Sequence, residues 1–292
     1  MPPKPLITIG ELIDQSWDRY RESFTDFVSV SGWLLVVSVF DVVARALYPA
    51  TIRLLSGAPL TWSENLGILL YWLTATVIAP AIGVWTILAL MKLADARLSG
   101  VRLDPKTALK AAKKEFWGMT WVTVLVALVL LATLACGAIP GLALTTIVLA
   151  SGKGGLMVLV SNVVLIIGLV VANLLVLKWS VRYGFAPFAF AAEGTRGTAA
   201  LAASRKLSEG RLMRVLVRGL LPAAMFGLVG YVAVRFLSLV SYTIVSAGAG
   251  LNLDVQVRLM SISGSVFPMI VAVLINPLIV LVGMKLYRSL KG

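Results

Sequence analysis

The sequence predicts an all-α polytopic membrane protein with about six transmembrane helices. Its 292 residues are 59% hydrophobic and only 13% charged, against about a quarter charged in an ordinary soluble domain. Several apolar runs reach the roughly 20 residues that a bilayer-spanning helix needs. The basic residues, moreover, are gathered between alternate runs rather than spread along the chain.

The N-terminal segment "MPPKPLITIGELIDQSWDRYRESF" has no apolar core of signal-peptide type, so the first span is expected to be its own insertion signal. Within it, Ile9, Leu12, Ile13, Trp17, Tyr20, Phe24 and Phe27 recur at spacings of three and four. That period predicts an amphipathic helix over 8–27. Apolar stretches then predict spans at about 28–48 and 66–92. A second amphipathic helix is expected over 104–117, with Asp104 as its cap, Pro105 in its first turn, and Leu109, Ala112 and Phe116 on one side.

The third span is placed at 119–136, with Gly137 to Gly141 read as a kink or turn around Pro140. Residues 140–150 stay apolar and are either a tilted continuation or a shallow re-entrant piece. The sequence "SGKGG" at 151–155 follows no strand and reads as a turn, not a phosphate loop. A fourth span is expected at 156–178, and a third amphipathic helix at 195–210 carries Leu201, Ser204 and Leu207 before Gly210. Spans five and six fall at 215–243 and 267–287. Between them, Leu251, Leu253, Val255, Val257 and Leu259 alternate at period two, which suggests an extended segment or hairpin, or alternatively an interfacial helix.

Amphipathic helix, span, span thus recurs three times, a threefold unit whose competing account is plain alternation of helices and loops. With six spans, 21 of the 26 basic residues fall on one side. Both termini are therefore expected in the cytoplasm, in a prokaryotic cytoplasmic (inner) membrane. Lys4 is one of the 21, whereas the loops of the other side carry Arg53, Lys153 and Arg258. The +13 net charge is then topological; it predicts anionic lipid at the cytoplasmic face as a partner, not nucleic acid. Glu11, Asp14, Asp18, Glu22 and Asp26 make the first helix acidic, whereas Lys106, Lys110, Lys113 and Lys114 make the second basic. The first helix is expected to dock on the basic segments, the alternative being a solvated acidic face.

The connection "KWSVRYGFAPFAFAAEGTRGTAALAASRKLSEGR" combines an aromatic-rich "FAPFAF", an acidic residue with Gly, and an "AL" plus "S" helix ending at Gly and Arg. It resembles the glycerophosphoryl diester phosphodiesterase membrane-domain family and related prokaryotic six-helix membrane families. The opening "LIDQSWDRYRESFTDF" is similar to their N-terminal helix. The resemblance implies a membrane domain that occurs either joined to a phosphodiesterase barrel or alone. It transfers no catalytic or substrate residue.

The chain has no His and one Cys, Cys136, which is read as a small buried hydrophobe. These counts remove imidazole-based acid–base chemistry, disulfides within the chain and Cys-rich metal sites. No catalytic residue, cofactor or metal site is predicted. Ionisable groups at lipid depth are the candidate functional positions. Asp41 and Arg45 lie four apart on one face of span one, Arg235 falls toward the outer end of span five, and an Asp41–Arg235 pair would join the two helices. Asn276, directly before Pro277 in span six, completes the candidate polar site. Asn162 and Asn173 in span four are read as packing amides that bond between helices. Pro80, Pro222 and Pro277 each free a carbonyl that a neighbour or water must satisfy.

The leading expectation is a non-enzymatic protein that organises the membrane or supports envelope lipid physiology. The alternative is a transporter or flippase-like carrier of an anionic or amphipathic solute.

Overall fold

A computed structural model describes residues 7 to 152, 154 to 248 and 253 to 292 of the chain. In order, the helices are α1 (Ile9–Glu22), α2 (Phe24–Ser31), α3 (Leu34–Leu47), α4 (Thr51–Ser56), α5 (Trp62–Leu73), α6 (Ala79–Leu98), α7 (Pro105–Ala150), α8 (Leu156–Tyr183), α9 (Ala186–Glu193), α10 (Thr198–Ser208), α11 (Leu212–Gly248) and α12 (Leu253–Lys291), with a π-helical turn at Thr74–Ile78. No strand occurs among the described residues. Six helical stretches are long and apolar enough to cross a bilayer. The chain is a multi-pass, all-α membrane protein. It divides into two compact units, one formed by residues up to 116 with 218 to 290, the other by residues 117 to 217.

In the first unit, α1 starts with a reciprocal cap. The Glu11 N–H donates to Thr8 Oγ1 at 3.3 Å, and the Thr8 N–H donates to Glu11 Oε2 at 3.0 Å. The bond from the Thr8 N–H, followed by that from the Thr8 hydroxyl, holds the Glu11 carboxyl below its usual range. Leu12, Ser16 and Tyr20, spaced by four, are buried, while Trp17 and Phe24 at the edge of the stripe stay exposed. The helix ends at Ser23 rather than running to 27, and α2 begins the first span. Of the acidic row, Asp26 pairs with Arg97 at the end of α6, and Glu22 pairs with Arg19 on its own helix.

The Tyr20 hydroxyl is buried without a partner, and burial pushes its pKa up to about 12 from 10. A tyrosine raised in the folded state adds stability below its unfolded pKa, and that contribution is lost between about pH 10 and 12. Tyr20→Phe should flatten this alkaline loss in a pH series of melting curves and leave the neutral-pH melting point equal or higher. An unchanged slope above pH 10 would show that Tyr20 ionises freely.

Two prolines shape the first unit. Pro277 lacks the N–H that would close on the Val273 carbonyl. Ser31 Oγ donates to that carbonyl at 2.6 Å, tying α2 to α12. Pro80 likewise interrupts span two, and the π-helical turn just before it widens the helix, with the Ala79 N–H reaching the Thr74 carbonyl. At Gly67 a Cβ would lie 2.6 Å from the Leu47 carbonyl carbon, so only glycine lets α5 cross the end of α3. The core gathers Phe27, Val30, Leu88, Leu90, Leu281 and Met284. Beside it, Arg288 grips the Asp95 carboxylate at 2.6 Å and the Asp95 carbonyl at 2.8 Å, and Lys92 pairs with Glu115 at 2.8 Å.

The second unit is built on the hairpin of α7 and α8. The segment expected as a separate helix at 104–117 and the third span form one helix, which continues through Pro140 to Ala150. Gly137 to Gly141 is therefore not a turn, and of the two readings of residues 140–150 the continuation holds and the re-entrant piece does not. The reason is contact: a Cβ on Gly137 would strike Ala172 and the Gly168 carbonyl, and one on Gly141 would strike the Leu165 backbone. These glycines are where two helices touch. At the other end of the hairpin the ring of Phe190 fills the place a Cβ on Gly118 would take. The Ser204 hydroxyl donates to the Arg182 carbonyl at 2.6 Å and accepts from the Phe185 N–H at 3.2 Å, clasping α10 to the α8–α9 junction. Cys136, expected to be buried, is exposed.

Of the two readings of 251–259, the helical one holds from Leu253 onward, and the extended one does not. Leu251, Lys4 and Lys153 lie outside the described residues. With α7 continuous, the second copy of the repeat lacks the helix break found after α1 and after α10.

Candidate functional site

Three elements of the first unit meet around the Asp41–Arg45 pair. In α3, Ser38, Asp41 and Arg45 follow at spacings of three and four and so share one face. Arg45 Nε donates to Asp41 Oδ2 at 2.7 Å. Its Nη1 donates to Ser261 Oγ of α12 at 2.6 Å, and its guanidinium lies 5.6 Å from the centre of the Tyr71 ring of α5. Tyr71 in turn meets Tyr48 edge-on at 5.7 Å. One turn from Ser261 toward the start of α12, Arg258 Nε donates to Asp254 at 3.0 Å, and its Nη1 donates to the Ala46 carbonyl at 2.7 Å. Arg258 thereby caps an open carbonyl at the end of α3. Each guanidinium keeps an Nη2 without a hydrogen bond among the described residues.

Two cavities adjoin this pair and share Arg45 and Tyr71. The outer one, about 590 Å³, lies at the end of the helices and is lined by Tyr48, Pro49, Leu253, Val257, Arg258 and Ser261 as well. The inner one, about 330 Å³, runs deeper beside Ser38, Asp41, Thr74, Ala79, Pro268 and Met269. Ser38 and Thr74 are 5% and 3% exposed, and neither hydroxyl has a hydrogen-bond partner. The π-helical turn opens at Thr74, and Pro268 withholds the N–H due to Gly264, so backbone irregularities border the inner cavity on two sides. The arrangement offers guanidinium donors at the mouth, two aromatic faces, and a largely apolar inner cavity with two unspent hydroxyls.

Of the candidate polar site, Asp41 and Arg45 come together. Arg235 does not join them: it bonds Tyr231 on its own helix at 2.9 Å, stacks over that ring at 5.0 Å and is exposed. A partner four residues away is reached without ordering a second helix. Asn276 lines neither cavity. It lies beside Pro277, about 12 Å along α12 from Pro268. Asn162 and Asn173 are both exposed, and Asn173 returns its amide to the Leu169 carbonyl at 2.8 Å, so neither bonds between helices within the chain.

Sequence reasoning missed Tyr71, Arg258 and Ser261. The two capping boxes, Thr8 with Glu11 and Thr61 with Glu64, were also legible as Thr-x-x-Glu and would have placed the starts of α1 and α5. No group of three or more His, Cys, Asp or Glu among the described residues could hold a metal ion. Comparison with protein-family models, curated proteins and solved structures found no match.

Proposed function

We propose that this is a non-enzymatic protein of a prokaryotic cytoplasmic membrane, with both termini cytoplasmic, that serves envelope lipid physiology by holding a lipid with an acidic head. Kinship with the glycerophosphoryl diester phosphodiesterase membrane domains belongs to the same proposal. The observation that carries the lipid-binding reading is the pair of cavities that share Arg45 and Tyr71, with Arg45 and Arg258 at the mouth, each with donor capacity to spare. A phosphate or carboxylate satisfies such donors through charge-assisted bonds. Tyr48 and Tyr71 suit the interface, where one side of a ring is apolar and its tip is wet. The largely apolar inner cavity receives the start of an acyl chain.

Binding of phosphatidylglycerol to the purified protein in neutral detergent, followed by native mass spectrometry, tests this. Arg258→Gln, whose Asp254 partner is half exposed, is expected to weaken binding about tenfold or more. Arg45→Gln should do the same. Lys106→Gln and Lys110→Gln, outside both cavities, should not. Equal affinity in all four variants would remove the reading.

The carrier reading is favoured by the proline and π-turn breaks beside the inner cavity, since helix breaks border transporter sites. Neither cavity, however, is lined by the fully buried core residues Phe27, Val30, Leu88 and Leu281. Loss of the asymmetry of a fluorescent lipid in proteoliposomes, faster than in protein-free vesicles, would favour the carrier. Retained asymmetry with intact binding would leave a lipid-holding role.

A further inference from the structure

We infer that Ser38 and Thr74 read the acyl-ester carbonyls of a diacyl glycerophospholipid, so that the inner cavity selects ester-linked over ether-linked lipid. The inference rests on the lipid-binding reading above.

Hydroxyls at lipid depth ordinarily return their proton to their own helix, and this chain follows that habit. Thr76 donates to the Trp72 carbonyl at 2.6 Å, Thr133 to Val129 at 2.7 Å, Thr145 to Gly141 at 2.8 Å and Ser265 to Ile262 at 2.9 Å. Ser38, Thr74 and Thr86 depart from it although all three are more than nine-tenths buried, and of these Ser38 and Thr74 line one and the same cavity. At Thr74 the backbone N–H is shared between the Leu70 and Tyr71 carbonyls, where the π-helical turn begins. A buried donor with no acceptor is costly, and two around one space call for a ligand with acceptors.

Their position says which acceptors. Ser38 lies about 10 Å along α3 from Arg45 on the same face, and Thr74 lies one turn from Tyr71. In a glycerophospholipid the ester carbonyls follow the phosphate by a few bonds toward the acyl chains. A phosphate on the Nη2 donors of Arg45 and Arg258 therefore brings the ester region down toward Ser38 and Thr74. Beyond it, Val37, Ala75, Ala79 and Met269 give the chains apolar walls. The Asp41 carboxylate, turned to Arg45 Nε, repels the phosphate from the inner cavity and keeps it at the mouth. A free phosphate would use the guanidiniums and leave both hydroxyls unmet.

The test compares diacyl phosphatidylglycerol with its diether analogue, identical in head and chains, on the full-length protein by native mass spectrometry. The wild type is expected to bind the diacyl lipid about tenfold more tightly, the worth of two neutral hydrogen bonds. Ser38→Ala and the near-isosteric Thr74→Val should each shrink that preference while leaving the affinity for the diether lipid within about twofold. Inorganic phosphate should fail to displace the diacyl lipid. A wild type that does not discriminate, or a preference that survives both substitutions, overturns the ester inference while Arg258→Gln still weakens both lipids. If Arg258→Gln and Arg45→Gln weaken neither, the lipid-binding reading itself falls.

Discussion

Gly137→Val is expected to separate α7 from α8 and to remove about 3 kcal/mol or more from the second unit, at the upper end of the cost of overpacking. The new Cβ meets the Ala172 side chain and the Gly168 carbonyl, and a backbone atom cannot swing aside as a side-chain tip would. Gly168→Val should be as severe, because its Cβ runs into the Gly137 carbonyl. Lipid tails are as apolar as the helices, so the hairpin is held by close approach and dispersion rather than by expulsion of water. The control is Gly227→Ala in α11, where a Cβ meets nothing within 4 Å. Unfolding in mixed micelles of increasing dodecyl sulfate content gives the comparison. If Gly137→Val unfolds at the same detergent fraction as Gly227→Ala, close contact at the glycines is not what holds α7 to α8.

The second large effect is expected at Arg288. Three of its contacts converge on α6: the Asp95 carboxylate through both Nε and Nη2, the Asp95 carbonyl, and the Ser99 hydroxyl. With side chains 33% and 26% exposed, the pair falls short of a fully buried bridge. Arg288→Ala should therefore cost about 2 kcal/mol, below the 3 to 5 of a wholly buried pair. Asp95→Ala should cost a similar amount. The exchanged double variant, Asp95→Arg with Arg288→Asp, should recover only part of the loss, since the aspartate cannot reach the Asp95 carbonyl or Ser99 as donor. Full additivity of the two alanine variants in a double-mutant cycle would mean that the charges do not interact.

The spans were legible because lipid imposes one rule, long apolar helices, and the chain obeys it six times. Asp41 with Arg45 was legible because helical spacing alone brings them together. The course of α7 was not. Gly and Pro mark turns in water, where a broken backbone bond is made good by solvent, but Gly137, Pro140 and Gly141 sit where only helix keeps the carbonyls paired. Arg258 escaped because its contact with Ala46 bridges 212 positions, and no local pattern marks such a meeting. Arg235 and Asn276 were drawn into the site by depth in the bilayer alone; depth does not fix the direction a side chain faces. Tyr71, with Arg45 over its ring, escaped in the same way: it stands on another helix, 26 positions along the chain from Arg45.

The grip of Arg288 on Asp95 also sets an order of events during synthesis. Asp95 leaves the ribosome 193 residues before its partner, a wait of roughly ten to forty seconds at ordinary elongation rates. Through that interval the first two spans are in place while a carboxylate beside α6 lacks its cation. α12, made after them, adds Leu281 and Met284 to the core that the earlier helices began. A chain stalled before α12 thus leaves the Asp95 carboxylate without its cation and the core without Leu281 and Met284.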